Sequence, residues 1–339
     1  MSIQTLAVML VLSVGLATPA WAKNELSCPD SVKNLPRLVA DGVALEPSGV
    51  AWDPVNKVAV GVSDEASTGA LFVFDPATVS GDKTIRATPL LSSAQVEQFK
   101  PKDLEGITRL ASGEWVATAS HSLNNGKARD TVLRFRLVKK GAQWSLDTLQ
   151  KIPPSGGFQK WLTQSAKTPW DGKFNQAEGE AGINVEGLAA SERDGNLLFG
   201  FRGPVIGNKP ALLAVRLEAN GTPTVAKWYS LKLDAKFDEG GILGLAKESL
   251  GVRDMTPLAG GKGEYLIVLG ASGSGSDVPF QLGFWREGQE EVAYVGKLTK
   301  GFRAEGITVL SETPESQRLL LVSDKGGLVM ECQSTLKKR

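Results

Sequence analysis

The chain has 339 residues, with 38 Lys and Arg against 37 Asp and Glu and a formal net charge of +1. Charges of both signs are mixed along its whole length. This leaves no basic stripe of the kind a phosphate backbone needs and argues against a nucleic-acid partner. The 38 glycines and 3 tyrosines suit many tight turns better than a helical bundle.

Residues 1–22 read as an export signal, with an apolar stretch from Leu6 to Leu16 and then Ala20-Trp21-Ala22, a small-x-small cleavage pattern before Lys23. The segment before the apolar stretch holds no Lys or Arg, and an uncleaved anchor is the competing reading, although the run is short for a bilayer span. Cleavage predicts a periplasmic or secreted chain starting at Lys23 with no stable membrane insertion. Glu25-Leu26-Ser27 is a poor lipidation signal for Cys28.

Five segments of the remaining chain open alike: Glu46-Pro47-Ser48-Gly49-Val50, Asp103-Leu104-Glu105-Gly106-Ile107, Asn184-Val185-Glu186-Gly187-Leu188, Val252-Arg253-Asp254-Met255 and Arg303-Ala304-Glu305-Gly306-Ile307. A polar cluster ends an apolar run roughly sixteen to nineteen residues later each time: Ser63-Asp64-Glu65, Ser120-His121-Ser122, Arg202, Ser272 and Ser323-Asp324. After the first four openings come about four strand candidates, β-branched and apolar runs bounded by Gly, Pro, Asp or Asn. They are Val50–Trp52, Val58–Val62, Ala70–Phe74 and Thr84–Pro89; Ile107–Leu110, Trp115–Ala119, Thr131–Leu137 and Trp144–Leu149; Leu188–Ala190, Asn196–Phe201, Ala211–Leu217 and Thr224–Leu231; Met255–Leu258, Tyr265–Leu269, Gln281–Arg286 and Val292–Lys297. The last set holds Ile307–Leu310, Arg318–Val322 and Gly327–Cys332 and lacks a fourth.

A repeat of this kind predicts an all-β fold, a single five-bladed β-propeller over residues 23–339. Six blades are the alternative if Ser155–Ile183 holds a degenerate one. The stretch Leu35–Val43 precedes the first set and is expected to complete the C-terminal blade, closing the ring and removing both exposed edges. That closure brings Cys28 and Cys332 to one turn and predicts a disulfide; two unpaired buried thiols are the alternative. Ser155–Ile183, with Trp161 and Trp170, and Asp234–Gly251, where Leu243–Leu250 suits a short helix, are read as connections, with a tryptophan covering the face that carries the motifs.

In a four-stranded blade the start of the first strand and the end of the second share a rim, so the openings and the polar clusters meet there. Aligning the openings on glycine puts Ser48, Glu105, Glu186, Asp254 and Glu305 in one row, with Glu46, Asp103, Asn184, Val252 and Arg303 two residues earlier and facing the same way. Carboxylates gathered around one axis repel and need compensation. Either a divalent cation, calcium above all, is held by Glu105, Glu186, Asp254 and Glu305, or Arg202, Arg253 and Arg303 act as counter-charges that tie blades together. His121 is the only histidine, so any histidine-dependent proton transfer falls to it, with Glu105 across the hairpin as a partner; a hydrogen-bonded structural role is the competing reading.

The run Gly270–Gly275 lacks the ending of a phosphate loop, so no nucleotide cofactor is expected. There is no Gly-x-Ser-x-Gly elbow, the cysteines are not spaced for zinc, and Asn124-Asn125-Gly126 reads as a turn.

Asp103-Leu104-Glu105-Gly106-Ile107 with Ala119-Ser120-His121-Ser122, and Asn184-Val185-Glu186-Gly187-Leu188 with Gly200-Phe201-Arg202-Gly203-Pro204, resemble the bacterial propeller proteins grouped as domain-of-unknown-function family 3616. Glu46-Pro47-Ser48-Gly49 is similar to the opening blade of other exported bacterial propellers, among them phytase-like esterases and calcium-containing relatives. The resemblance implies a propeller with an axial, metal-binding funnel and no established reaction. The fourth opening departs from it, with Arg253-Asp254-Met255 where Glu-Gly is expected.

The resulting expectation is a funnel that binds a divalent cation and a small polar or anionic ligand and hydrolyses a phosphate or carboxylic ester. Glu105 or Glu186 would act as general base, and His121 or Arg202 would contact substrate oxygens. Glu46, Asp64, Asp103, Ser120, Ser122, Arg253 and Asp324 would line the ligand site. The competing class is a non-catalytic scaffold that binds a ligand or an unidentified protein on its rim loops.

Overall fold

A computed structural model describes residues 24–65, 67–124, 127–152, 157–165, 182–218, 221–237, 249–260, 262–273 and 278–336. The export signal, Trp170, Asn125-Gly126 and most of the helix expected from Leu243 lie outside the described residues.

Each repeat folds as an antiparallel meander in chain order, as short connections between adjacent strands dictate. The first runs Pro47–Asp53, Val58–Ser63, Leu71–Val79 and Thr84–Pro89. The second runs Leu104–Arg109, Trp115–Ala119, Val132–Lys140 and Gln143–Ile152. The third runs Asn184–Ala190, Leu197–Ile206, Lys209–Leu217 and Pro223–Ser230. In the fourth, Leu250–Pro257, Glu264–Ala271, Gln281–Arg286 and Glu291–Lys297 are joined by Lys232–Leu233, parallel to the last of them. The final repeat supplies Gly306–Glu312, Gln317–Ser323 and Leu328–Thr335.

Burial grades across each of the first four meanders. Asn184–Ala190 is buried at every residue, whereas Pro223–Ser230 in the same sheet is mostly half-buried or exposed. The first strands are covered on both faces because they pack against one another. A Cβ at Gly106 would lie 2.7 Å from Leu188 Cβ, and one at Gly306 would lie 2.9 Å from the backbone nitrogen of Val50. Only glycine allows those approaches. Gly49 lies against Gly106, Gly187 against Asp254, and the Ile307 amide donates to Asp254 Oδ2 at 2.8 Å, so the first strands meet in a closed cycle. Apolar clusters fill the spaces between successive sheets; one joins Val50, Ala59 and Phe72 of the first repeat to Leu320 and Val322 of the last.

The strand that completes the last sheet is not Leu35–Val43. Glu25–Ser27 pairs antiparallel with Gln333–Thr335 and runs directly into Cys28, which is disulfide-bonded to Cys332 across 304 residues. Arg37–Ala40 instead bridges the two ends of the chain: it pairs in parallel with the outer strand of the first repeat and touches Leu328 through Arg37 alone. Within Ser155–Ile183 the described part holds a helix, Phe158–Ser165, rather than strands. Another connection carries Ser93–Phe99, started by a capping box in which Ser92 accepts from the Gln95 amide and the Gln95 side chain accepts from the Ser92 amide. Among the described residues no helix is long and apolar enough to cross a membrane.

Candidate functional site

The first strand of each of the first four repeats carries a one-residue bulge where it enters the sheet. Pairing jumps from Pro47 to Gly49, Leu104 to Gly106, Val185 to Gly187 and Val252 to Asp254, leaving Ser48, Glu105, Glu186 and Arg253 unpaired. A bulge re-aims the extra side chain away from the regular pleat. Glu305 immediately precedes Gly306, which opens the last pairing opposite Val322. The innermost row is therefore Ser48, Glu105, Glu186, Arg253 and Glu305. Asp254 does not belong to this row: it holds the place that glycine holds in the other repeats, and its carboxylate turns to the backbone of the last repeat. The alignment on sequence glycines was one residue out at the fourth opening.

Counting two residues along the second strands from the partners of those glycines gives a second row of Asp64, Ser120, Arg202, Gly270 and Asp324. Gly270 makes room for the arginine of its own repeat, since a Cβ there would lie 3.1 Å from Arg253 Cγ and Nε. Ser272, the polar residue expected in this repeat, lies two residues beyond. Acids thus come from the first, second, third and last repeats, whereas both arginines come from the third and fourth, so the mouth is charged asymmetrically.

Arg253 is buried, and its Nη1 donates to Glu186 Oε2 at 2.8 Å and to Glu305 Oε2 at 3.1 Å, while Nη2 donates to the Ala271 carbonyl at 2.9 Å. Glu186 also accepts from Arg202 Nη1 at 2.9 Å and from Asn184 Nδ2 at 3.2 Å, and Arg202 Nη2 reaches the Gly273 carbonyl at 3.2 Å. Burial, opposed by Arg253 and reinforced by Glu186, lifts Glu305 to about 8. Glu105 is half-buried. Burial first, then the charges of Glu186, Asp103, Glu305 and Asp64, hold its proton well above the ordinary carboxylate range. Asp64 is raised to about 6 by burial and by Glu46, Asp103 and Asp324. Asp254 is raised well above its usual range by burial, against the pull of backbone amides.

Asp103 lies at the same rim, in a left-handed conformation with φ 62°, and its amide donates to the Asp64 carbonyl at 3.0 Å. Its carboxylate accepts from Arg129 and from the Ser120 hydroxyl, which contacts Ser122 Oγ at 2.8 Å. Glu46 is exposed at the edge, while Asp324 and Arg303 are half-buried.

His121 is elsewhere. At φ 55° the chain turns its ring into the interior, fully buried, with Nδ1 3.0 Å from Asp130 Oδ1, Nε2 2.8 Å from Thr118 Oγ1 and Phe158 at 4.5 Å between ring centroids. Asp130, its carboxyl held low by His121 and the Gln159 amide against the cost of burial, ties this ring to the Phe158 helix. Trp161 lies tilted against Phe158, 4.9 Å between ring centroids, in that same interior cluster. The structure brings together Glu105, Glu186, Glu305, Asp64, Asp103, Ser120, Ser122, Arg202 and Arg253, and it keeps His121 with Asp130 and Thr118.

Arg129 and Asp130 are the polar partners that sequence reasoning missed. The signal was the Asn124-Asn125-Gly126 turn. Pairing back from it sets Leu123 opposite Ala128, and beyond that pair the Arg129 amide donates to the Ser122 carbonyl at 3.1 Å.

The side chains do not form a ready cation cage. Glu186 and Glu305 share Arg253, Asp254 is engaged with a backbone amide, and among the described residues no three His, Cys, Asp or Glu are grouped so as to hold a metal ion.

No curated protein matches the chain. Among solved structures, the soluble aldose sugar dehydrogenase of Escherichia coli is 12% identical, with 93% of this chain and 100% of that one covered and a TM-score of 0.44. A hypothetical protein from Leishmania major is 10% identical, with 91% of each chain covered and a TM-score of 0.43. A gluconolactonase from Xanthomonas campestris is 11% identical, with 90% and 86% covered and a TM-score of 0.36. These likenesses concern the fold alone. Residues 172–328, which hold the third and fourth openings and the start of the last repeat, match the model of the family described as "Protein of unknown function (DUF3616)".

Proposed function

We propose that the chain is an exported five-bladed β-propeller that hydrolyses a small polar or anionic ester, phosphate or carboxylic, at the axial mouth. The observation that carries this reading is the pair Glu105 and Asp64. They are close enough for the charge of Asp64 to raise Glu105, and their environments separate their proton affinities, Asp64 near 6 and Glu105 well above the carboxylate range. Two neighbouring carboxyls held apart in this way are suited to base and acid roles at neutral pH. Asp64, ionised above about 6, takes the proton of the attacking water; Glu105, still protonated, gives its proton to the departing oxygen. Arg202, mostly buried and paired with Glu186 at the same mouth, orients the oxygens of the substrate. This is a different role for Glu105 from the general base expected of it, and it follows from its burial and then from the carboxylates packed around it.

The test is a screen of phosphomonoesters, aryl esters and lactones with wild type and Glu105→Gln. Hydrolysis that rises through about pH 6, falls as Glu105 deprotonates and drops at least ~100-fold in Glu105→Gln supports the reading. Turnover indifferent to Glu105→Gln, or none on any substrate, removes it. The second reading, a non-catalytic scaffold, is favoured by Arg253, whose one guanidinium joins the third, fourth and last repeats. It predicts no turnover and a loss of fold when Arg253 is replaced. Export is tested by sequencing the N-terminus of the secreted chain, expected at Lys23.

A further inference from the structure

We infer that the Cys28–Cys332 disulfide is an addressable thiol-exchange site, a redox latch on the seam that closes the molecule. A surface cavity of about 580 Å³ is lined by both cysteines together with Ser27, Ser311, Arg318 and Glu331. Cys332 is 4% exposed, whereas Cys28 is only half-buried, so the sulfur open to attack is that of Cys28. The two charged residues on the wall neutralise each other: Arg318 Nε and Nη2 each lie 2.8–3.0 Å from Glu331 carboxylate oxygens. An incoming thiolate therefore meets hydroxyls and a paired charge rather than an uncompensated carboxylate.

The element held by this bond is the one least able to hold itself. Glu25–Ser27 has three residue pairs with the last strand, too few for a stable edge on their own. Its remaining contacts cross to the fourth repeat: Leu26 packs on Gly296, where a Cβ would lie 2.6 Å away, Asn24 Nδ2 donates to the Tyr294 carbonyl at 3.4 Å, and Thr299 Oγ1 donates to the Pro29 carbonyl at 2.6 Å. The strand thus spans the seam between the fourth and last repeats. Cutting the disulfide releases it and leaves Leu26, Val32 and Leu35 to hold the apolar cluster unaided. Opening of this kind is local rather than global.

The co-reactant is a dithiol. One of its thiolates attacks Cys28 Sγ, the bond to Cys332 breaks and Cys332 leaves as thiolate. The second thiol, as thiolate, attacks the mixed disulfide and expels Cys28. The dithiol is oxidised by two electrons to its own disulfide, and its two protons end on Cys28 and Cys332.

The experiment treats the folded, full mature chain with dithiothreitol, traps free thiols with a maleimide and follows backbone hydrogen exchange. Both cysteines are expected to label without denaturant, exchange to rise at least 10-fold over residues 24–27 and stay unchanged in the first strands of the second and third repeats, and the melting temperature to fall by roughly 5 °C. Ser311→Trp, which fills the cavity from an exposed strand position, is expected to slow native reduction at least 10-fold. Labelling that requires denaturant, reduction that leaves exchange at 24–27 unchanged, or a Ser311→Trp protein of wild-type melting temperature reduced at the wild-type rate would each overturn the inference. The first two outcomes are read on wild type and do not depend on any variant folding.

Discussion

Arg253 shows how much one residue of register decides. Sequence alignment on glycine gave its place in the innermost row to Asp254, which would have set four acids in that row and left Arg253 beside it as one of three rim counter-charges. The bulge between Val252 and Asp254 instead aims Arg253 at Glu186 and Glu305. Removing a guanidinium that serves two buried carboxylates and a carbonyl takes the counter-charge from Glu305 and leaves Glu186 with Arg202 and Asn184 alone. Arg253→Met is therefore expected to cost about 3–5 kcal/mol, read by urea unfolding at pH 8. Arg253→Lys keeps the charge but loses the forked geometry and is expected to recover only part of that. A loss below about 1 kcal/mol for Arg253→Met would mean the pairs are solvent-screened and the row is not a buried one. His121 was hidden for a different reason. Strand alternation correctly puts Ser120 and Ser122 on one face and His121 on the other, but nothing in the local sequence announces the left-handed backbone or the Asp130 that receives its ring.

At the scale of elements, the repeated Glu-Gly pair made the meanders legible, because the glycine is required by a contact between strands of different repeats. The same steric fact can be tested directly. At Gly106 an added Cβ meets Leu188 Cβ at 2.7 Å and the Glu186 carbonyl at 2.9 Å, neither of which is the end of a flexible side chain. Gly106→Ala is expected to destabilise by about 1–3 kcal/mol through overpacking. Gly81, with nothing within 4 Å of an added Cβ, serves as the control, and Gly81→Ala is expected to change stability by less than about 1 kcal/mol in thermal or denaturant melts. Equal effects at the two sites would contradict the close approach of the first strands. What remained illegible was the closing strand. Leu35–Val43 carries the apolar and β-branched residues of a strand, and Glu25–Ser27 carries one leucine between two polar residues. Three residues have no period to read; their pairing is imposed from outside, by the disulfide at the next residue and by the bare surface of Gly296.

For the whole molecule, the acids at the mouth set the direction in which stability changes with pH. Glu105, Glu305, Asp64 and Asp254 all hold protons more tightly folded than unfolded, so their contribution is full below about 4 and is lost as pH rises through their folded values, near 6 for Asp64 and about 8 for Glu305. Asp130 and Glu114 act oppositely: each is lowered in the folded chain, and its contribution, present above about 4, is lost on acidification. The two sets together predict greatest stability near pH 5 and a decline toward pH 8.5, in contrast to a fold held by paired surface charges. Thermal melts across that range check this, and Glu105→Gln, which removes a crowded carboxyl whose contribution is lost as pH rises, is expected to raise the melting temperature at pH 8.5 while changing it little at pH 5. Excess calcium in the same melts separates the two ways of compensating the axis. If arginines suffice, calcium leaves the decline in place; if the acids of the first, second and last repeats recruit a cation, calcium restores stability at pH 8.5 and has no effect at pH 5, where protons compete for the same oxygens. A melting temperature that climbs from pH 5 to 8.5 in wild type without calcium would show that these carboxyls are solvated rather than gathered, and the asymmetric mouth would lose its physical basis.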